Sequence, residues 1–546
     1  MKKKLSAIVL ALVLALSLLP AAAFAADGDV AQVGEQTYAT VAAAIEAAKD
    51  GGTVKLLKDV EESVTIPANA TVTLDLNGKT LTNSGAANTI TVAKDATLVI
   101  SGEGTVDNVN HGESTIYNMG TVTLNGGTYE RSAEKGTESG SNGNSYYTIL
   151  NHGAMEVNEG VVVKNAGSFS SLFENGYYDA TKTLDGIENP VLTIKGGKFD
   201  GGLNTIKNDD NAKLTIENGE FTNYTQACVQ NHNEATINGG SFIAEGAKWV
   251  VLSCGACGNN AIHDVHSMTI NGGDFVGNLR IDSFANLDIK GGHFSDKNAI
   301  NYTSAKAMAE FQALDHNKNE VTVYGFYDSI EAAQEDELIG GGATYSVINT
   351  TDPTTTLTLM DGDEKIASFV VPAGYELTFG SLEMDYLVFM GWSDGTKVYQ
   401  AGDKYEVVNV EAGNDGVVFN AKWGATVSYD YGYENKSEEK VVALGETIKL
   451  PEASREGYTF KGWVDSEKQY QAGDEYTVTK AVTFEAQWEA VKNSNPTNPT
   501  NPTNPSNPNT GVAGVSLWVS LLALAGVALV VTLVAGNQKH GRREAK

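Results

Sequence analysis

A short run of alternating apolar and polar residues, ending in a glycine pair and then an aromatic residue, recurs along the first two thirds of the chain. One copy reads LTIKGGKF at 192–199. Successive side chains of a strand point to opposite faces, so the Leu, Ile and Phe positions share one face. Glycine permits the positive φ of a tight corner. The pattern predicts repeated strands with their apolar face inward and a corner before each aromatic residue. The clear copies lie at 124–129, 192–199, 214–221, 235–242, 268–275 and 287–294.

The spacing of these copies indicates a stacked architecture. Their second glycines, or equivalents, lie at positions 127, 197, 219, 240, 273 and 292, and a degenerate copy at 155–160 divides the longest gap. A period near 20 residues with one short strand per copy is typical of a solenoid. Longer intervals are expected to carry loops at a corner. At about 23 residues per coil, residues 37–345 hold around thirteen coils, and at about 4.8 Å per strand they form a rod on the order of 60 Å long.

Asparagines recur at a second fixed position relative to the strands of the repeat. Asn118, Asn151 and Asn231 each lie four residues before a strand of the repeat. Stacked coil on coil, they would form a ladder of side-chain amides. Ordinary turn asparagines are the alternative, because Asp264 and Ser283 occupy this position in the later copies.

An alanine-rich helix is predicted before the repeat, at residues 40–49, with Val41, Ala44, Ile45 and Ala48 on its apolar face. Such a helix would close the open first coil of a solenoid. Strands are predicted after it at 53–57, 64–66, 72–76 and 97–100. Taken together, residues 37–345 resemble the right-handed parallel β-helix of the pectate-lyase-like superfamily, and the resemblance implies an all-β fold.

A longer repeat follows from about residue 355. The segments 389–392 (FMGW), 399–405 (YQAGDKY) and 419–423 (FNAKW) recur at 460–463, 470–476 and 484–488. Alternation such as Phe-x-Ala-x-Trp predicts strands, and the tryptophans are expected in a core. Two small β-rich modules are therefore predicted at 355–424 and 425–490. The second resembles the Listeria–Bacteroides repeat of bacterial surface proteins, a β-grasp-like module, and the first departs from it by an insertion at 411–415.

The N-terminus has the order of a secretory signal peptide over residues 1–25. Three lysines precede an apolar stretch, and the small-x-small sequence Ala23-Phe24-Ala25 predicts cleavage between Ala25 and Ala26.

The C-terminus begins with an Asn-Pro-Thr repeat over 491–510, a stiff spacer of polyproline II type. Residues 512–536 are uncharged and long enough to span a bilayer, and a short basic tail follows. The segment 507–546 resembles the cell-wall sorting signal of Gram-positive surface proteins. That resemblance implies a sortase that joins Thr510 to peptidoglycan. Asparagine at the first motif position leaves the sortase class open, and a plain membrane anchor is the alternative. The motif comprises Asn507, Pro508, Asn509, Thr510 and Gly511.

The net charge of the chain limits the kinds of partner that it is expected to bind. The chain of 546 residues has 68 acidic and 38 basic residues, a net charge of −30. Removal of residues 1–25 and of those after Thr510 leaves 67 acidic and 31 basic residues, a net charge of −36. Phosphate contact needs clustered Lys and Arg, so nucleic acid is not an expected partner.

Candidate chemistry is sparse. Asp209-Asp210 is the one Asp-Asp pair of the repeat region, and a solvated corner is the favoured interpretation over a glycosidase pair. Cys254 and Cys257 are expected to form a small-loop disulfide or remain thiols. A metal site that also uses Cys228, His232, His263 and His266 is the less favoured alternative. Aromatic residues of the long insertions either contact a ligand or pack inward: Tyr146, Tyr147, Phe173, Tyr177 and Tyr178.

These features predict a cell-wall-anchored surface protein, with sortase and peptidoglycan as partners and no cofactor or resident metal. We expect the β-helix to act as an adhesin for a host glycan, mucin or matrix protein. The sequence offers no convincing catalytic constellation. A polysaccharide lyase or hydrolase and a purely structural surface component are the alternatives.

Overall fold

A computed structural model describes residues 28–491 except 111, 134–145, 166, 178–188, 254–266, 282–285, 409 and 411–415. The chain divides into two compact units. The first holds the described residues up to Gly340 together with Tyr345–Thr350, and the second holds Gly341–Thr344 and the described residues from Thr351.

Three parallel sheets form the body of the first unit, and the chain visits them in the same order in each coil, which is consistent with a β-helix. The parallel strands of the first sheet are Asp50–Leu56, Thr71–Asp75, Thr97–Ser101, Thr121–Leu124, Ala154–Val157, Val191–Ile194, Lys213–Ile216, Glu234–Ile237, Ser267–Ile270 and Asn286–Ile289. Those of the second sheet are Val60–Glu61, Lys79–Asn83, Gly104–Asn108, Thr128–Glu130, Val162–Asn165, Lys198–Gly201, Glu220–Asn223, Ser241–Ala244, Asp274–Val276 and Gly292–Phe294. The third sheet contains Val64–Ile66, Ile90–Val92, Ile116–Asn118, Ile149–Asn151, Phe173–Asn175, Asn204–Asn208, Ala227–Asn231, Trp249–Ser253 and Leu279–Ile281.

The sequence repeat spans one corner of this stack. Its apolar positions are buried, and its phenylalanines form a continuous column with ring centroids 4.6–4.8 Å apart and nearly parallel planes. The column comprises Phe199, Phe221, Phe242, Phe275 and Phe294. The second glycines of the copies have φ between +87° and +142°. The prediction of inward apolar positions and glycine corners is confirmed.

The coil number was overestimated. In the described residues each of the first two sheets has ten parallel strands, where the sequence predicted around thirteen coils. The prediction spread one period evenly over 37–345, but the C-terminal part of that range folds as an antiparallel cap, and several coils carry long insertions. At about 4.8 Å per strand, ten strands extend on the order of 45 Å.

The asparagine ladder is confirmed and is longer than predicted. Side-chain amide bonds of 2.7–2.8 Å join Asn118 to Asn151, then Asn175, Asn208 and Asn231, all fully buried in the third sheet. Ser253 is paired in register with Asn231, so the assignment of this position to Asp264 was wrong. An insertion follows Ser253, and counting back from the next strand therefore missed the register.

The predicted first helix, α1 (Val41–Ala48), covers the N-terminal end of the core. Val41, Ala44, Ile45 and Ala48 are buried, as expected. Thr40 caps the helix, and the Glu62 carboxylate accepts from the amides of Val41 and Ala42 at 2.8 and 2.9 Å. Two antiparallel strands, Ala31–Val33 and Gln36–Tyr38, complete this end.

Antiparallel structure closes the other end of the stack. A 3₁₀ helix, Lys297–Tyr302, precedes a hairpin of Ala307–Leu314 and Glu320–Tyr327. The second hairpin strand pairs antiparallel with Gly292–Phe294. Helix α2 (Ile330–Gln334) follows, and the strand Ala343–Val347 lies where the two units divide.

The second unit contains two modules with the same strand order. The first has Thr354–Asp361, Glu364–Pro372, Glu376–Thr378, Val388–Ser393, Val398–Tyr399, Lys404–Glu406 and the start of Val417–Asp430. The second has the end of Val417–Asp430, then Ser437–Ala443, Thr447–Lys449, Tyr458–Val464, Gln469–Tyr470, Glu475–Thr477 and Val482–Ala490.

Equivalent pairings and cores support the internal duplication. In each module the first strand is parallel to the last, which is antiparallel to the strand that carries the Gly-Trp pair. Trp392 and Trp463 are fully buried and donate to the carbonyls of Gly380 and Pro451 at 2.9 and 2.7 Å. The expectation of core tryptophans is confirmed for these two residues.

Candidate functional site

The third sheet places three charged side chains together on its outer face. Glu174 and Lys207 are register neighbours on adjacent strands, and Asp209 lies two residues after Lys207 on the same face. Lys207 Nζ donates to Glu174 Oε1 at 3.2 Å and also to Asp209 Oδ2. Glu174 and Asp209 are buried, so one ammonium group serves two carboxyl groups away from water.

The two acids differ in protonation. Burial raises the pKa of Glu174 well above its usual range, and the neighbouring Asp209 carboxylate raises it further. Burial also disfavours the charged form of Asp209, but the Lys207 ammonium outweighs it and lowers the pKa of Asp209. Of the two acids, Glu174 therefore holds a proton more readily and Asp209 ionises more readily.

This geometry corrects the interpretation of Asp209-Asp210 as a solvated corner. Both residues are buried, and Asp210 exchanges two backbone hydrogen bonds with Tyr177 at 2.9 and 3.0 Å. Neither is the cluster arranged like a glycosidase pair. Glu174 and Asp209 contact one Lys207 ammonium group and are both buried, whereas glycosidase carboxyl groups flank the scissile bond of a bound sugar. The arrangement matches a structural ion cluster better than a pair that flanks a sugar bond.

The cysteine and metal predictions fall largely outside the described residues. Cys254, Cys257, His263 and His266 all lie in 254–266, which the structure does not describe. Cys228 is a buried free thiol whose pKa burial raises to about 12, so it is neutral at physiological pH. Among the described residues no group of three metal-ligating side chains comes together.

The aromatic residues of the insertions divide between two environments. Phe173 and Tyr177 are buried, so for these two the inward-packing interpretation is correct. Tyr177 stacks on His152 with ring centroids 4.3 Å apart. Tyr146 and Tyr147 are half-buried, and Tyr178 lies outside the described residues.

A groove at the corner between the second and third sheets is a stronger binding candidate. It has a volume of about 590 Å³, and residues at the ends of four successive second-sheet strands line it. Gly201 and Gly202, with φ of +97° and +74°, form part of its floor. A Cβ at these positions would lie 2.1 Å from the Asn165 carbonyl oxygen and 2.5 Å from the Leu172 nitrogen. Glycine at these two positions therefore permits the close approach of the backbone of the preceding coil.

Exposed polar and aromatic groups surround that floor. Tyr224 is 51% exposed, and the exposed Asp200 carboxylate lies close enough to act on its hydroxyl. Burial and Asp200 together raise the pKa of Tyr224, which stays a neutral donor. Lys164 is paired with Glu130 at 2.9 Å on the same wall. An aromatic face beside hydrogen-bonding groups is a common arrangement for small polar ligands.

Arg131 supports the groove from beneath. Only 2% of it is exposed, and its guanidinium donates to the carbonyls of Asn110, Glu113 and Tyr146 at 2.7–3.0 Å. The arginine joins backbone segments before and after residues 134–145, so it positions the wall and does not present a free positive charge.

The sequence analysis did not identify this groove. Its lining residues follow the buried second-sheet positions Tyr129, Val163, Phe199 and Phe221 by one to five places. Alignment of the residues after each copy would have placed Arg131, Asp200 and Tyr224 at neighbouring corners. Acids adjacent in sequence, such as Asp209-Asp210, do not indicate this groove.

The terminal sites lie outside the described residues. These are the signal cleavage site at Ala25 and Ala26, the spacer, the sorting motif Asn507–Gly511 and the predicted span 512–536. Within the described part of the chain, no helix is both long enough and apolar enough to cross a bilayer.

Residues 425–487 match the family model of the Listeria-Bacteroides repeat domain. The matched range covers nearly all of the second module, in agreement with the sequence resemblance. The first module has the same strand order, although the match does not include it. No curated protein and no solved structure is significantly similar to the chain.

Proposed function

We propose that the protein is displayed on a Gram-positive cell wall and that its first unit binds a neutral glycan in the corner groove. The exposed Tyr224, which lines one groove with the exposed Asp200 carboxylate, Gly201 and Gly202, is the observation that carries the binding proposal. A tyrosine ring packs against the apolar face of a sugar, and a carboxylate accepts hydrogen bonds from its hydroxyls.

The charges of the groove favour a neutral ligand over an anionic one. Of its two basic side chains in the described residues, Arg131 is buried on backbone carbonyls and Lys164 is paired with Glu130. Asp200 and Glu130 contribute negative charge, and the chain as a whole is strongly acidic. A sialylated, sulfated or uronic-acid glycan would meet repulsion without a free cation to offset it.

The display proposal rests on the order of the terminal segments. A secretory signal, a stiff Asn-Pro spacer, the motif ending in Thr510-Gly511, an apolar span and a basic tail follow one another as in sortase substrates. The Listeria-Bacteroides repeat between the first unit and the spacer agrees with a surface protein. In this proposal the two modules and the spacer separate the binding unit from the wall.

A glycan array that holds neutral, sialylated, sulfated and uronic-acid structures tests the binding proposal on the purified protein. We expect neutral glycans to be retained and the Asp200→Asn variant to lose most of that signal. Asp288→Asn is the matched control, because Asp288 lies on the first sheet away from the groove. Retention of no glycan, or of anionic glycans alone, would contradict the proposal and favour a purely structural surface component.

A further inference from the structure

The segment 335–340, which we name the cap segment, separates two cavities at the C-terminal end of the stack. One is a trough of about 640 Å³ along the glycine corners, and the other is a mostly apolar pocket of about 250 Å³. Ser241, Asp274, His293 and Leu338 line both cavities. Leu338 belongs to the cap segment and forms part of the wall between the two spaces, and 59% of it is exposed.

One carboxylate joins this wall to the last coil. Asp336 Oδ2 accepts from His293 Nε2 at 2.8 Å and from the Tyr327 hydroxyl at 2.7 Å. Its other oxygen accepts from the Leu338 amide at 2.9 Å, within the cap segment. In the part of the chain that the structure describes, the Asp336 carboxylate attaches the cap segment to the second sheet through His293 and to the hairpin through Tyr327. The wall therefore depends on very few polar contacts.

His293 lies between two acids. Its Nδ1 bonds Asp274 Oδ1 at 2.8 Å, while its Nε2 bonds Asp336. A carboxylate accepts and does not donate, so both ring nitrogens must carry protons for both bonds to form. The imidazole that holds the cap segment is thus the charged form.

The groups around His293 decide whether its pKa is raised or lowered. Burial alone would lower the pKa of His293, but the hydrogen bonds to Asp274 and Asp336 outweigh it and raise that pKa. Tyr327 stays neutral, because burial and Asp336 raise its pKa. Tyr345, whose charged form would repel Asp336, is also held neutral by burial. Asp336 itself has a lowered pKa: burial opposes this, and its hydrogen bonds with Leu338, Tyr327 and His293 produce it.

We propose that the cap segment is a proton-sensitive lid, closed while His293 is protonated and released when His293 loses its proton. Release removes the partition at Leu338 and merges the trough with the apolar pocket. Ile243, Val276 and Phe311 line that pocket, and their apolar side chains become accessible on release. The Gly340-Gly341-Gly342 run after the segment supplies backbone freedom for the movement.

The sign of the pH dependence follows from linkage. Because the pKa of His293 is raised in the folded protein, its contribution to closure is complete below the ordinary histidine value near 6.5. It is lost as the pH rises through the folded value. The Asp336 contribution has the opposite direction: it is present above the ordinary aspartate value of about 3.9 and is lost as the pH falls through the lowered one. The lid is therefore closed at mildly acidic pH and opens on the alkaline side.

Hydrogen exchange of the full chain at pH 6 and pH 9, corrected for intrinsic exchange rates, tests the lid. For the peptide 328–340 we expect the protection factor to fall at least tenfold at pH 9. His293→Gln should give low protection at both values, while the first-sheet peptides keep theirs. His316→Gln is the control, because His316 lines the same pocket but lies 3.9 Å from its acidic neighbour, Glu245. Equal protection at both pH values in the parent protein would overturn the proposal.

Two further readouts remain decisive if His293→Gln fails to fold. In the parent protein labelled with ¹³C-histidine, the His293 resonance should titrate above 6.5, and a value below 6.5 would overturn the proposal. An apolar fluorescent dye such as ANS should bind more strongly at pH 9 than at pH 6, because the apolar side chains of the pocket become accessible. Unchanged dye binding would mean that the cavities do not merge.

Discussion

Asn151 donates from its side-chain amide to the Asn175 side-chain carbonyl at 2.7 Å, and no part of either residue is exposed to solvent. This bond is one step of the five-residue ladder within the third sheet. Each amide also donates to a backbone carbonyl one coil further along the stack, as Asn175 does to Lys213 at 3.1 Å. The ladder thus satisfies buried polar groups of consecutive coils and fixes their register.

Replacing Asn175 by alanine should destabilise the first unit by about 1–3 kcal/mol, because buried groups on two neighbouring coils lose their partner. Asn271→Ala is the matched control, since Asn271 bonds Asn238 at 2.7 Å on the exposed surface. Its cost should stay within about 0.5 kcal/mol. Native-state hydrogen exchange of the first-unit peptides measures both changes. Equal effects would show that the ladder is not a stabilising element.

The buried acid pair predicts unequal effects of two amide substitutions. Glu174 holds a proton more readily than Asp209, so Glu174→Gln should lower the free energy of unfolding at pH 7 by less than Asp209→Asn does. Asp209→Asn removes the ionised partner of Lys207 and should cost about 3–5 kcal/mol. Asp209 has a lowered folded pKa, so its contribution is present above the ordinary aspartate value. The Asp209→Asn penalty should therefore shrink as the pH falls through that lowered value.

Thermal unfolding of the two variants from pH 3 to pH 8 checks this assignment. A larger penalty for Glu174→Gln than for Asp209→Asn at pH 7 would reverse the assigned protonation states.

Because the two modules are duplicates, substitution of equivalent glycines should destabilise them to a similar extent. Gly391 and Gly462 have φ of +114° and +120°, and a Cβ there would lie 2.5 and 2.2 Å from the carbonyl oxygens of Tyr399 and Tyr470. Alanine at either position should lower the free energy of unfolding by more than the roughly 1–3 kcal/mol expected from backbone strain alone. Gly473→Ala is the control, with φ of +84° and open space around its Cβ. Calorimetric unfolding of the full chain should rank it as the mildest of the three variants.

The sorting interpretation makes a prediction about fractionation. If a sortase cleaves after Thr510, Thr510→Ala should leave the protein in the membrane fraction, extractable with detergent. Thr503→Ala is the matched control, because Thr503 lies in the Asn-Pro spacer outside the motif. That variant should stay with the cell wall. A Thr510→Ala protein that resists detergent extraction as the parent does would exclude this anchoring route.

Features with a regular period were predictable from the sequence. Helix α1, the glycine corners and the second module all appear where the sequence placed them, because each depends on local propensity or on an apolar repeat. The ladder members Asn175 and Asn208 were missed, since insertions change their distance from the next strand. Only strand pairing brings them into line with Asn151.

The candidate sites were harder to predict than the fold, because their residues meet only in the folded chain. Lys207 and Glu174 are 33 residues apart and meet because their strands are neighbours in the third sheet. Tyr224 and Asp200 lie on consecutive second-sheet coils, and nothing in the sequence around either residue indicates a groove. His293 meets Asp336 through the antiparallel cap, which departs from the repeat used to predict the coils.

Titration calorimetry with the neutral glycan best retained on the array tests the central claim most directly. The account predicts that Tyr224→Ala weakens binding by roughly tenfold or more, equivalent to about 1.4 kcal/mol, because the exposed ring forms the ligand platform. Tyr386→Ala, which alters an 89% exposed tyrosine of the second unit, should bind as the parent does. Equal dissociation constants for the parent and Tyr224→Ala would contradict glycan binding in this groove.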